Sequence, residues 1–182
     1  MGKTSGGVRN YQNKPSTLGA RQKKYEYYVR RKDYDTARSY FDASGGYVVT
    51  HKLHKQITDV NKDKSDIASL MLAKKGYKVY LGKEKSTVSG RKTKDGRIYE
   101  SPMDIKTINT AGKYTIHSAL KTAASQKAKT VVLFQGTTDM TRKYVESQIE
   151  YFKKNASKVA RRRIEWVIVV GQSGNIHRHK LK

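Results

Sequence analysis

Along the chain, apolar residues fall into short runs whose spacing switches between helical and alternating, with polar, glycine-containing stretches between them. In "KSDIASLMLAKKG", Ile67, Leu70, Met71 and Lys74 recur at helical spacing, and Gly76 follows where a helix C-terminus favours glycine. "YKVYL" (77–81) then alternates as a strand, "KEKSTVSGRKTKDG" reads as a polar loop, and "RIYE" and "MDIKTI" read as short strands with Ser101-Pro102 as the turn between them. Helical spacing returns over 113–128, where Ile116, Leu120 and Ala123 or Ala124 point inward. The continuous apolar run "TVVLF" (130–134) predicts a central strand, a long helix is predicted over about 139–156, and a second buried strand over 164–170. "GNIHRHKLK" closes the pattern as an edge strand after a turn.

From residue 60 the order is therefore α-β-β-β-α-β-α-β-β, which predicts an α/β fold with a mixed sheet flanked by helices. Residues 1–20 have no apolar periodicity and predict a flexible basic arm. Residues 21–58 read as a basic helical lead-in segment. Within it, Arg21 to Phe41 has helix-compatible spacing with Tyr27, Val29, Tyr34 and Tyr40 inward, and "SGGYVVTHKLHK" turns at Gly45-Gly46 into a short strand. Residues 59–182 form the predicted α/β domain.

Composition narrows the function. Lys and Arg number 39 against 15 Asp and Glu, a formal charge of +24, which implies a polyanionic partner and first of all nucleic acid. Cysteine is absent, which excludes disulfides and thiolate zinc sites, so any metal must be held by oxygen or imidazole. No apolar run is long enough to span a bilayer, and the start does not resemble a signal peptide, so the expectation is a cytoplasmic protein without a membrane partner. Tyrosines interleaved with Arg and Lys in the first 47 residues suit either base stacking or packing of the basic helix.

Against this background "KTKDGRIYESPMDIKTI" stands out, because Asp95 lies nine residues before Asp104 in an Asp-x-Lys triplet. Alternation puts Asp104 and Lys106 on one side of their strand and Ile105 on the other. Asp95, entering the neighbouring strand, then lies across from Asp104. Two carboxylates so close repel each other unless a cation neutralises them, and a divalent ion with oxygen ligands does so. On the triplet alone, an ordinary ion pair between Asp104 and Lys106 is the simpler reading.

The order of elements around these residues, with "KTKDG" before "DIK", resembles the PD-(D/E)xK nuclease superfamily. More narrowly it resembles the CdiA C-terminal tRNase-like toxin nuclease domains, which also occur on phage and mobile-element proteins. "LAKKGYKVYL" and "INTAGKYTIHSALKTAASQKAKTVVLF" carry the likeness beyond the acids, and it spans roughly 60–182. The resemblance implies a restriction-endonuclease-like core, a bound Mg²⁺ or Mn²⁺, Asp95 and Asp104 as metal-binding acids, and Lys106 as the group that orients or activates water. It also implies Asp66 as a supporting acid, with Asp63 as its alternative, and RNA of the tRNA kind as substrate in preference to DNA. Lys94 stands where the family usually has proline, and Asp104 where many members have glutamate.

Further nucleic-acid contacts are expected at Lys92, Lys94, Arg97, Lys113, His117 and Gln126, and at Arg161, Arg162 and Arg163, the last three serving equally well as a solvated strand entry. The pairs His51 with His54 and His177 with His179 lack a nearby acid and read as surface or nucleic-acid-facing residues. The opening "GKTSGG" lacks the earlier glycine of a phosphate-binding loop. Other readings of the whole are a non-catalytic nucleic-acid-binding or phage-structural protein, and a metal-independent RNase with His117 or another histidine as general base. A toxin of this charge, bacterial or phage-encoded and delivered into a target cell, would call for an acidic immunity or inhibitor protein.

Overall fold

The alternating runs assemble into one eight-stranded mixed sheet in which strands lie side by side in chain order. The computed structural model describes residues 17–54, 65–83, 94–136 and 140–182. Helix α1 (Leu18–Val29) is capped by the Thr17 hydroxyl, which accepts from the Ala20 amide at 3.2 Å. It leads into an antiparallel pair, β1 (Tyr34–Phe41) and β2 (Tyr47–His51).

Helix α2 (Ser65–Lys74) crosses to β3 (Lys78–Leu81), which is parallel to β2, and β4 (Gly96–Ile98) and β5 (Ser101–Ile108) complete an antiparallel meander. Helix α3 (Thr115–Ser125) crosses from β5 to the parallel β6 (Thr130–Gln135). Helices α4 (Arg142–Asn155) and α5 (Lys158–Arg163) then cross to the parallel β7 (Trp166–Val170), and β8 (Ile176–Lys180) returns antiparallel at the edge. No described helix is long and apolar enough to cross a membrane.

Each face of the sheet buries its own layer. Val48, Val79, Met103, Ile105, Val132 and Ile168 face α2, whereas Val131, Leu133, Val167 and Val169 face α3, α4 and α5. At the other end of this second face, α1 sets Tyr25, Tyr28 and Val29 against Tyr47, Val49 and Tyr80. The registers of Tyr80 with Arg97 and of Arg97 with Pro102 carry that face across β4 to Asp104 and Lys106 on β5. The candidate acids thus lie on the face that α1 and α3 share, between those two helices.

Four elements depart from the pattern read in the sequence. Residues 34–41, expected to be helical, form β1 and belong to the sheet. The Asp35 carboxylate accepts from the amides of Ala37 and Arg38, and the Ser39 hydroxyl accepts from the Thr50 amide across the register shift. Local side-chain capture of backbone amides of this kind competes with a helical turn.

The buried stripe of α2 is Ala68, Leu72 and Ala73 rather than one centred on Ile67, which is 46% exposed. Small residues bring α2 close to the sheet, and a Cβ at Gly46 would collide with the Ala73 carbonyl. The helix ends in a Schellman motif, with Tyr77 N–H donating to Leu72 and Gly76 N–H to Ala73, and Gly76 at φ 83°.

The turn between β4 and β5 is Tyr99-Glu100, and Ser101-Pro102 already belong to β5. Tyr99 takes φ 52°, a strained value for a ring-bearing residue, while its ring packs 5.9 Å from Tyr77. Arg161, Arg162 and Arg163, expected as phosphate contacts or as a solvated strand entry, belong to the short helix α5, capped by the Ser157 hydroxyl, which accepts from Ala160 N–H.

Candidate active site

β4 is only three residues long, so β5 extends beyond it. The register of Gly96 with Met103, continued by one residue, sets Asp95 opposite Asp104. Asp95 does locally what the missing strand residue would do: its Oδ2 accepts from the Ile105 amide at 2.6 Å. Gly96 allows the close start of this strand, since a Cβ there would collide with the Tyr80 carbonyl. Asp95 is buried, and its own carbonyl accepts from Gly82 N–H at 2.9 Å.

Asp104 is fully buried, yet neither carboxylate oxygen accepts a hydrogen bond from a described residue. Its close neighbour is the Lys106 ammonium, 2.7 Å from Oδ2, an ionic contact without hydrogen-bond alignment. Lys106 also donates to Gln126 Oε1 at 3.1 Å, and Gln126 is the C-cap of α3. The α3 terminus is itself tied down by Arg163, which donates to the Ala124 carbonyl at 2.7 Å.

A buried carboxylate answered by one ammonium keeps most of its lone pairs unsatisfied, and such a group is costly unless something else coordinates it. The donor set suits a hard divalent cation, which takes carboxylate oxygens. Among the described residues no group of three or more His, Asp or Glu side chains converges on one point, so the protein's contribution would be the two carboxylates of Asp95 and Asp104.

The structure brings Asp95, Asp104, Lys106 and Gln126 together, with Arg97 on the same face of β4. Asp66 is engaged elsewhere: Arg38 on β1 binds both its oxygens, at 2.8 and 3.0 Å, and also donates to the His54 carbonyl at 2.9 Å. Lys113 lies just before the start of α3, and Gln126 caps its other end, with the 11 residues of the helix spanning about 16 Å between them. Its ammonium sits over the Tyr114 ring.

His117 does not face solvent as a phosphate contact or general base requires. It is buried, with Tyr151 at 5.0 Å and Phe152 at 5.9 Å from its ring, and burial followed by the nearby Lys121 charge lowers its pKa. Lys94 is exposed, as are Arg161 and Arg162, and Arg161 donates to the Lys153 carbonyl. Lys92 and Asp63 lie outside the described residues. His54, read as a surface residue, is buried, with Nδ1 3.0 Å from the Gly82 carbonyl oxygen.

Sequence reading missed Lys24, Lys78 and Glu100 beside this site. The alternation of Lys78 with Tyr80 was a usable signal for one of them, but Lys24 and Glu100 meet across 76 residues of chain.

A solved structure described as a CdiA-CT/CdiI toxin and immunity complex from Burkholderia pseudomallei is similar in fold. The TM-score is 0.53 at 18% sequence identity, with 73% of this chain and 98% of that chain covered. No protein-family model and no curated protein matches the chain.

Proposed function

We propose that the chain is a toxin-type, metal-dependent nuclease that hydrolyses phosphodiester bonds, with Asp95, Asp104 and Lys106 as its working residues. The observation that carries this reading is the buried Asp104 carboxylate, without a hydrogen bond from any described donor, beside Lys106 and opposite Asp95. Such an arrangement is hard to explain as packing, because a buried charge with open lone pairs works against folding.

Mg²⁺ or Mn²⁺ held by Asp95 and Asp104 would lower the pKa of a bound water and offset the charge that grows on the phosphate. Lys106 supplies a positive donor at the same place, and its bond to Gln126 fixes where that donor points. The bond from Ile105 N–H keeps the Asp95 carboxylate in one orientation. Asp66, clamped by Arg38, acts through the anchoring of α2 to β1.

The +24 charge favours a polyanionic substrate. RNA of the tRNA kind is proposed on the sequence resemblance, and the toxin and immunity description of the similar structure agrees with a toxin role. A partner of immunity type would present acidic groups to the basic face. A second reading, binding without cleavage, is favoured by the direct Lys106–Asp104 pair, which partly neutralises the carboxylate without any metal.

The test is incubation with tRNA, single-stranded RNA and duplex DNA in Mg²⁺, Mn²⁺ or EDTA. The expected result is metal-dependent cutting, strongest on RNA, that Asp104→Ala and Lys106→Ala each reduce at least about a hundredfold while binding persists. Intact polynucleotides under every ion would leave the binding-only reading.

A further inference from the structure

Next to Asp104 the shared face carries a cluster of cations that the catalytic reading does not use. Lys24 of α1 and Arg97 of β4 gather around the buried ring of Tyr80, with the Arg97 guanidinium 4.8 Å and the Lys24 ammonium 5.8 Å from its centre, and Lys78 lies two residues before Tyr80 on the same face of β3. Arg21 lies close enough to add to the field: burial first, then the charges of Arg21 and Lys24, hold Lys78 below the usual lysine range.

Glu100, in the tight turn, answers two of these cations at once. It pairs with Lys24 at 3.2 Å and with Arg97 at 3.0 Å. Its side chain is 50% exposed, and those of Lys24 and Arg97 are 46% and 40% exposed, so all three are open to a ligand.

Resting on the nuclease reading above, we propose that Lys24, Lys78 and Arg97 form a phosphate-binding site for the nucleic-acid strand on one side of the scissile bond. Glu100 fills that site in the free protein and is displaced by the strand.

The geometry fits a strand crossing the sheet. β5, β4 and β3 are neighbours spaced by about 4.8 Å, and Asp104 lies two residues along β5 from Pro102, which the register sets in line with Arg97 and Tyr80, so the cluster over Tyr80 lies about 12 Å from Asp104, or between about three and four nucleotides of stacked strand. Tyr80 is too buried to stack a base, and its ring instead seats the two cations from below. A phosphodiester brings one negative charge where Glu100 now supplies one. The exchange therefore leaves Lys24 and Arg97 paired and frees Glu100 to solvent.

The test is equilibrium binding of a fluorescein-labelled single-stranded oligoribonucleotide in EDTA, read against salt concentration. Glu100→Gln is expected to bind roughly three- to tenfold tighter at low salt, with a steeper salt slope. Lys24→Gln and Arg97→Gln are each expected to weaken binding by a similar factor and to flatten the slope by about 0.7. Lys32→Gln, exposed beyond the end of α1, is the charge control, with a change below about twofold.

Glu100→Gln binding no tighter than the parent overturns the proposal, and so does an equal loss in Lys24→Gln, Arg97→Gln and Lys32→Gln, which would mean diffuse attraction. If the variants change binding of polyglutamate but not of RNA, the site belongs to an acidic protein and the proposal also fails. Because metal is chelated, absence of cleavage elsewhere removes the hydrolytic reading without touching this result.

Discussion

Lys106 places its ammonium 2.7 Å from Oδ2 of Asp104, two residues away on the same face of β5, with the carboxylate fully buried and the lysine side chain 24% exposed. The pair is thus half in contact with solvent, and its charge balance depends on what else reaches Asp104.

Removing the lysine should expose that dependence. Lys106→Ala leaves a buried charge without its counter-ion and is expected to cost about 3 kcal/mol of stability, while Asp104→Asn with Lys106→Met recovers most of it. Mg²⁺ or Mn²⁺ should raise the melting temperature of the parent, equivalent to about 2.7 kcal/mol at a hundredfold excess over Kd. The metal midpoint should be lower in Lys106→Ala, where no ammonium competes, unchanged in Asp66→Ala, and unreachable in Asp104→Asn. Thermal unfolding with metal titration reads all four. An equal metal response in Asp104→Asn would exclude Asp104 as a ligand.

Asp95 makes a different kind of contact, to the backbone. Asp95→Ala removes the acceptor of Ile105 N–H and is expected to lose about 1–3 kcal/mol, whereas Asp95→Asn keeps an acceptor oxygen and loses less. Denaturant unfolding gives the two values, and hydrogen exchange at the Ile105 amide should speed up in the alanine variant. Equal stability in the two variants would mean that the 2.6 Å contact adds nothing.

The juxtaposition of Asp95, Asp104 and Lys106 was legible in the sequence because it depends on short-range alternation. In β5 the period of two puts Asp104 and Lys106 together whatever surrounds them, and a short hairpin brings Asp95 opposite. The strand 78–81 was legible by its own alternation, and 130–135 and 166–170 by a different signal, since their continuous apolar runs need burial on both faces. What escaped depends on contacts distant in sequence. Asp66 has a helix-start position that fits a supporting acid, but its partner Arg38 sits 28 residues earlier on a strand read as helix. His117 shows only a helical position, and the rings that enclose it come from α4. The Tyr99-Glu100 turn has no glycine or asparagine to announce it, because the packing of Tyr99 on Tyr77 offsets its backbone strain.

The buried imidazole of His117 gives a pH dependence with a definite sign. Its pKa is lowered from the ordinary 6.5, by burial first and by Lys121 second. As pH falls below about 6.5, the unfolded chain takes up a proton that the folded ring refuses, so stability drops. The drop starts near the unfolded value, runs down to the lowered folded one and then stops, and stability is fully present above the window. His179 is shifted in the same direction, again chiefly by burial, and adds to the effect. The lowered carboxylates of Asp33, Asp42 and Glu146 act with the same sign, but only near and below their ordinary values of about 4, so they leave the range from pH 7 to 5 to the histidines. His117→Phe keeps a ring against Tyr151 and Phe152 and removes the proton site. Thermal unfolding between pH 7 and 5 should therefore show a smaller loss in His117→Phe than in the parent, and a smaller loss again when His179→Phe is added. Identical losses in parent and His117→Phe would mean that this ring charges as easily in the folded protein as in water.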